Sequence, residues 1–190
     1  LACAVRDDWM GDDAALVIIP AARSPHKDAS PAASDADRVA MLRLAAKRRG
    51  NVFVWTDEFH RSGPSYTIDT LIEMRKEAGP ETALLWLMGS DTFLGMPTWH
   101  RWHELFDHAH IAVAERAGNT SWRNAMASGL YDEFEDRYVP DEGLFDGATA
   151  GRIAVFTMTA LDISSTAVRD AIKTTHSPRA SIFHRKRTDA

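Results

Sequence analysis

The sequence predicts an α/β fold built on a doubly wound, parallel sheet. Three observations carry this expectation. Short apolar runs rich in β-branched residues recur along the chain. Segments with helical periodicity stand between them, and polar stretches bearing Gly, Ser, Asp or Pro follow them. Strands alternating with helices imply parallel βαβ units. In such sheets ligands bind at the carboxyl ends of the strands.

The elements follow in order. Leu1 to Met10 reads as the end of a helix that Gly11 breaks. Leu16 to Ile19 is a short, fully apolar run, expected as a strand buried on both faces. Pro20, Pro25 and Pro31 hold the next stretch as a loop. Asp35 or Asp37 can cap a helix whose Val39, Leu42 and Ala46 share one face. Lys47, Arg48 and Arg49 suit the negative end of its dipole, and Gly50 is expected to stop it. Val52 to Trp55 is a second strand, and Thr67 to Ala78 a helix with Ile68, Leu71 and Ile72 inward. Leu84 to Met88, His110 to Ala114 and Ile153 to Phe156 are further strands. Asn119 to Gly151 is polar and glycine-containing, an excursion with room for one irregular helix. Ser165 to Lys173 is a last helix, and the basic tail from Thr174 is expected to be frayed.

Composition bounds the function. The chain has 190 residues, 45% hydrophobic and 26% charged, enough for one domain that buries about 70% of its unfolded surface. Cys3 is the single cysteine, so no internal disulfide forms, which fits a reducing cytoplasm. The longest apolar run, Ala14 to Ala22, contains Pro20 and falls short of the ~20 residues that span a bilayer. A net charge of −5 argues against a broad nucleic-acid-binding surface but leaves room for a local basic pocket.

Chemistry is sought after each strand. After the first come His26 and Lys27, which offer cationic heads to a phosphate, although alone they read more simply as a solvated loop. After the second, Gly63 and Pro64 turn the chain into a helix near Thr67, whose free N–H groups suit a carboxylate or phosphate; a plain helix start accounts for it as well. After the third, Gly89 admits close approach of a ligand, Asp91 can accept from ribose hydroxyls, and Trp99 can either stack on a flat heterocycle or pack in the core; Trp102 reads as core. Glu115 and Arg116 follow the fourth. After the fifth, Ser164, Ser165 and Thr166 open a helix with Arg169 one turn in, either a polyphosphate cradle or an ordinary cap with a surface arginine. His100 and His103, with Glu104, His108 and His110 nearby, could hold a metal, but their spacing is not HExxH and no metal site is assigned.

Taken in order, the PHK loop, GPSYTIDTL, GSDTFLGMPTWHRW, AERAG and DISSTAVR resemble the bacterial nicotinate-nucleotide adenylyltransferases over about Leu1 to Lys173. The GPSYT and PTWH segments separate that family from phosphopantetheine adenylyltransferases. The resemblance implies a Rossmann-like sheet of the nucleotidylyltransferase type over residues 1–173, with 174–190 a divergent tail. It implies adenylyl transfer from ATP, with Mg²⁺, to nicotinate mononucleotide in cytoplasmic NAD synthesis, and leaves a homo-oligomer open. His26, Lys27 and Arg169 would act on the triphosphate, the catalytic set. Asp91, Ile163, Ser164, Ser165, Thr166 and Arg169 would hold ATP. Thr67, Trp99, His100 and, nearby, Arg116 would take the nicotinate nucleotide. Relatives also have a strand and an HxGH loop that would stand before Leu1. On that reading the chain is N-terminally incomplete, either poorly folded or in a compensating arrangement, and inactive, and the alternative is a non-catalytic nucleotide-binding module. Ala117 stands where many relatives carry proline.

Overall fold

The computed structural model describes residues 2–11, 13–22, 33–140 and 144–158. The expected phosphate loop at His26 and Lys27, the segment 162–169, the last helix and the tail lie outside them.

Helix α1 (Ala2–Val5) runs into a π-helical turn, Arg6–Met10, and Gly11 ends it at φ +82°. Strand β1 (Leu16–Ile18) follows, then α2 (Asp35–Ala46), β2 (Val52–Val54) and α3 (Thr67–Ala78). Strand β3 (Leu85–Gly89) leads into α4 (Ser90–Leu94), and α5 (Leu105–His108) precedes β4 (His110–Arg116). The excursion holds a 3₁₀ turn, Ser121–Ala125, and a regular helix, α6 (Ser128–Arg137), before β5 (Ile153–Met158). Among the described residues the strand pairings are parallel, in two hydrogen-bonded sets ordered β1-β2 and β3-β4-β5.

Four local expectations are corrected. Ser34, rather than an aspartate, caps α2, because its Oγ accepts from the Asp37 N–H at 3.1 Å and donates to the Asp37 carboxylate at 2.7 Å. That helix ends at Ala46, and the left-handed position beyond it belongs to Asn51 (φ +52°), not Gly50; asparagine tolerates this conformation. Strand β1 is half-buried rather than buried on both faces, since its described hydrogen bonds run to β2 alone. Strand β4 runs two residues further than expected, so Glu115 lies inside the sheet and not in a loop.

The core forms around β4, whose first six residues are all buried. Ile111, Val113 and Ile153 meet Ile68 and Leu71 of α3 and Leu105 and Phe106 of α5. Helix α3 presents the inward face expected of it. Behind α4, Phe93, Trp122 and Phe134 form an edge-to-face triad with centroids 5.9–6.2 Å apart, a geometry the ring quadrupoles favour. Helix α3 is tied to both strand sets. Thr70 donates to the buried Glu58 carboxylate beyond β2, and Arg75 donates to the carbonyls of His108 and Thr149, which precede β4 and β5.

His110 opens β4 with no exposed surface. Its Nδ1 accepts from the Arg152 N–H and its Nε2 donates to the Ala148 carbonyl, each at 3.2 Å, so the neutral ring satisfies both. Burial holds its pKa below the ordinary imidazole value, the Ala148 hydrogen bond opposing and the nearby Arg152 and Arg75 charges adding. The folded ring therefore stays neutral where the unfolded one, titrating near pH ~6.5, gains a proton. This stability is complete above the unfolded value and is lost as pH falls through the lower folded value. The urea midpoint is expected to drop from about pH 7 toward about 5, and His110→Gln to flatten that drop. Equal slopes in the two proteins would refute the assignment.

Candidate functional site

The site is built where segments following the strands converge. Beyond β2, a 3₁₀ turn (Asp57–His60) leads to Gly63, whose φ of +107° only glycine adopts without strain, and to Pro64. These turn the chain into α3. Tyr66 is the N-cap of α3, but its side chain makes no capping hydrogen bond, so the first N–H groups of the helix carry no acceptor from the cap residue. The Ser65 hydroxyl just before it is buried without a partner among the described residues. The result is a helix start without a side-chain cap, the positive end of its dipole shared with Asp69 of the first turn.

Beyond β3, Gly89 is extended (φ −75°), so its glycine is not demanded by conformation. A Cβ placed there would meet nothing within 4 Å; the position leaves open space at the strand's carboxyl end. Asp91 lies exposed in the first turn of α4. Two consecutive 3₁₀ turns, Met96–Thr98 and Trp102–Glu104, flank Trp99, His100 and Arg101. The first is closed by Thr98 N–H to Gly95 (3.0 Å), Trp99 N–H to Met96 (2.9 Å) and the Thr98 hydroxyl to Gly95 (2.7 Å). The His100 ring then lies against the Tyr66 ring, centroids 4.6 Å apart. The GPSYT and PTWH segments, separated in the chain by α3, β3 and α4, thus meet at the start of α3.

Trp99 is half-buried and its ring packs against the core cluster, as Trp102 does. Thr67 is the first residue of α3 and half-buried. Arg116 ends β4, exposed, beside Met158 of β5, and the register that pairs Gly89 with Ala114 sets it near the strand end that carries Asp91. Thr67 and His100 are therefore brought to one place, with Asp91 and Arg116 along the neighbouring strand ends. His26, Lys27, Ile163, Ser164, Ser165, Thr166 and Arg169 lie outside the described residues.

Three of the histidines that could have formed a metal site have separate occupations. His100 lies tilted against Tyr66, His103 meets the Glu133 carboxylate at 3.0 Å, and His110 is bonded to backbone. Among the described residues no group of three or more His, Cys, Asp or Glu could hold a metal ion.

Sequence reasoning assigned no role to two carboxylates that the fold buries. Glu115, 5% exposed, accepts from Trp122 Nε1 at 2.8 Å and the Thr157 hydroxyl at 3.1 Å, with Arg123 at 3.5 Å. Glu58, 8% exposed, accepts from the Thr70 hydroxyl at 2.8 Å and the Ala22 N–H at 3.3 Å. A charged residue continuing the apolar run of β4 was the available signal for Glu115. Glu58 gave none.

Residues 9–171 match the cytidylyltransferase-like family model. A protein of Dechloromonas aromatica named "Probable nicotinate-nucleotide adenylyltransferase" is 38% identical over 80% of this chain and 69% of its own length. One of the same name from Laribacter hongkongensis is 40% identical over 89% and 74%. The chain belongs to the nicotinate-nucleotide adenylyltransferase family. A solved structure, Plasmodium falciparum nicotinic acid mononucleotide adenylyltransferase complexed with NaAD, aligns with a TM-score of 0.53 at 15% identity, over 82% of this chain and 68% of that one. At that identity it supports the nucleotidyltransferase fold, which this family member shares. Among the described residues no helix is long and apolar enough to cross a membrane.

Proposed function

We propose that the native protein transfers the adenylyl group of ATP to nicotinate mononucleotide, giving nicotinate adenine dinucleotide and pyrophosphate. The observation that carries this reading is the meeting of Tyr66 and His100 at the uncapped start of α3. A helix start with unengaged N–H groups favours an anion, so the acid form of the pyridine is preferred to the amide. The backbone at Thr67 and His100 would receive the nicotinate carboxylate, and Trp99 would stack on the ring. Asp91 would accept from ribose hydroxyls in the open space at Gly89, with Arg116 near the nucleotide.

The reaction needs no enzyme nucleophile. The mononucleotide 5'-phosphate oxygen forms a bond to the α-phosphorus of ATP as the bond to pyrophosphate breaks. Alignment and charge stabilisation carry such transfers. His26, Lys27 and Arg169 would stabilise the triphosphate, and Ile163, Ser164, Ser165 and Thr166 would hold ATP beside them. Mg²⁺ would arrive on ATP rather than in a protein cage, since among the described residues no cluster of metal-ligating side chains stands ready for it. When bound, the ion would neutralise charge on the leaving pyrophosphate.

The test is dinucleotide formation by the native protein from ATP, Mg²⁺ and either mononucleotide. Turnover with the acid form is expected, and ATP binding without turnover would instead support a non-catalytic module. Trp99→Ala is expected to weaken the nicotinate nucleotide by ~1–3 kcal/mol, the usual worth of a stacking ring, with the KM for ATP unchanged. Equal losses for both substrates would remove Trp99 from the pyridine site.

A further inference from the structure

Arg101 is left-handed, at φ +54° and ψ +39°, and with Asn51 is one of two non-glycine residues at positive φ among those described. Only glycine, and at times asparagine or aspartate, visits this region routinely. An arginine there is held by its surroundings. Its guanidinium makes a two-pronged contact with the Glu104 carboxylate, with Nε at 2.7 Å from Oε1. The Glu104 N–H returns to the Arg101 carbonyl at 3.0 Å, closing the second 3₁₀ turn. The Glu104 hydrogen bonds raise the Arg101 pKa, and the Asp69 charge in the first turn of α3 adds to this.

Arg101 is the corner between two fixed turns. Before it, His100 lies on Tyr66; after it, Trp102 lies on His103, centroids 3.7 Å apart, and near Phe106. Rotation of φ to the right-handed region, roughly 110° away, would swing one side of the corner relative to the other. His100 could not then stay on Tyr66 while Trp102 stays packed against the core. We propose that Arg101 is a positioning residue for the pyridine end of the nucleotide site: its left-handed backbone, held by Glu104, seats Trp99 and His100 at the start of α3.

This rests on the proposed function for its kinetic consequence but not for its conformational one. The test uses Arg101→Ala, Arg101→Gly and Glu104→Ala in the native protein. Two readouts are taken: amide hydrogen exchange over residues 97–104 without ligand, and the KM values for both substrates. Alanine at 101 and at 104 is expected to speed exchange and raise the KM for nicotinate mononucleotide about fivefold, the population lost to the left-handed penalty. The KM for ATP should stay within about twofold. Glycine at 101 is expected to restore native values, because it adopts the corner without a Cβ penalty. If glycine is as impaired as alanine, the side chain rather than the backbone corner matters and the proposal is wrong. Native-like behaviour of Arg101→Ala would also overturn it. Should the native protein form no dinucleotide, the functional reading fails, and hydrogen exchange still decides the corner.

Discussion

Glu115→Ala is expected to destabilise the protein by about 1–3 kcal/mol, the cost of leaving a buried donor without its acceptor. The carboxylate is nearly enclosed and receives the Trp122 indole N–H and the Thr157 hydroxyl, with the Arg123 guanidinium facing it. Alanine would leave the indole N–H without an acceptor and the arginine without its counter-charge. Arg123 also lies over the Trp122 and Phe134 rings, 5.4 and 6.0 Å from their centroids, so its displacement would disturb the aromatic triad behind α4. Against a total of ~5–15 kcal/mol, this loss is large. Glu115→Gln keeps an acceptor for Trp122, and its amide can donate to Thr157, whose hydroxyl reverses. That variant is expected within about 1 kcal/mol of the native protein, the worth of one ordinary hydrogen bond. Urea unfolding of both variants measures the difference. Equal losses would mean that charge toward Arg123, rather than the hydrogen bonds, carries the stability.

The consequence reaches the site. Glu115 fastens the ends of β4 and β5 to the turn Ser121–Ala125. Arg116, next in the chain, ends β4 beside that fastening, paired with Met158. Glu58 plays a matching part on the other side, joining the Ala22 backbone to α3 through Thr70. Two buried carboxylates thus anchor the strand ends and the start of α3, around which the substrate residues are expected, while neither is assigned a contact with substrate.

What was legible in the sequence follows from range. Helix α3 was readable because Ile68, Leu71 and Ile72 repeat at helical spacing, and the five strands because their apolar runs are local. The convergence of Thr67 and His100 was legible only through the order of motifs. Glu58 and Glu115 were not, because partners such as Thr70 and Thr157 stand far along the chain and no local periodicity encodes such pairs. The Arg101 corner was hidden for another reason: nothing in the residue type announces a left-handed backbone, which its pairing with Glu104 supports. Asn51 rather than Gly50 took the position past α2, because Gly50 lies within the turns that follow the helix.

The largest effect on turnover is expected at Arg169. It stands four residues after Ser165 in the DISSTAVR segment, a spacing that sets both on one face if the segment is helical. A guanidinium there would donate two parallel hydrogen bonds to phosphate oxygens whose charge grows as pyrophosphate departs. Interactions that strengthen in the transition state act on kcat rather than on binding alone. Arg169→Ala is therefore expected to lower kcat by about 10²–10³, the range for losing one preorganised donor to a developing charge. Arg169→Lys keeps the charge but not the planar fork, and should recover only part. The KM for nicotinate mononucleotide should change little, since that ring is assigned to the other end of the site. At low substrate concentrations the reverse reaction, dinucleotide with pyrophosphate, should fall by the same factor, because both directions share one transition state. A loss below about fivefold, or one confined to the KM for nicotinate mononucleotide, would take Arg169 out of the triphosphate cradle.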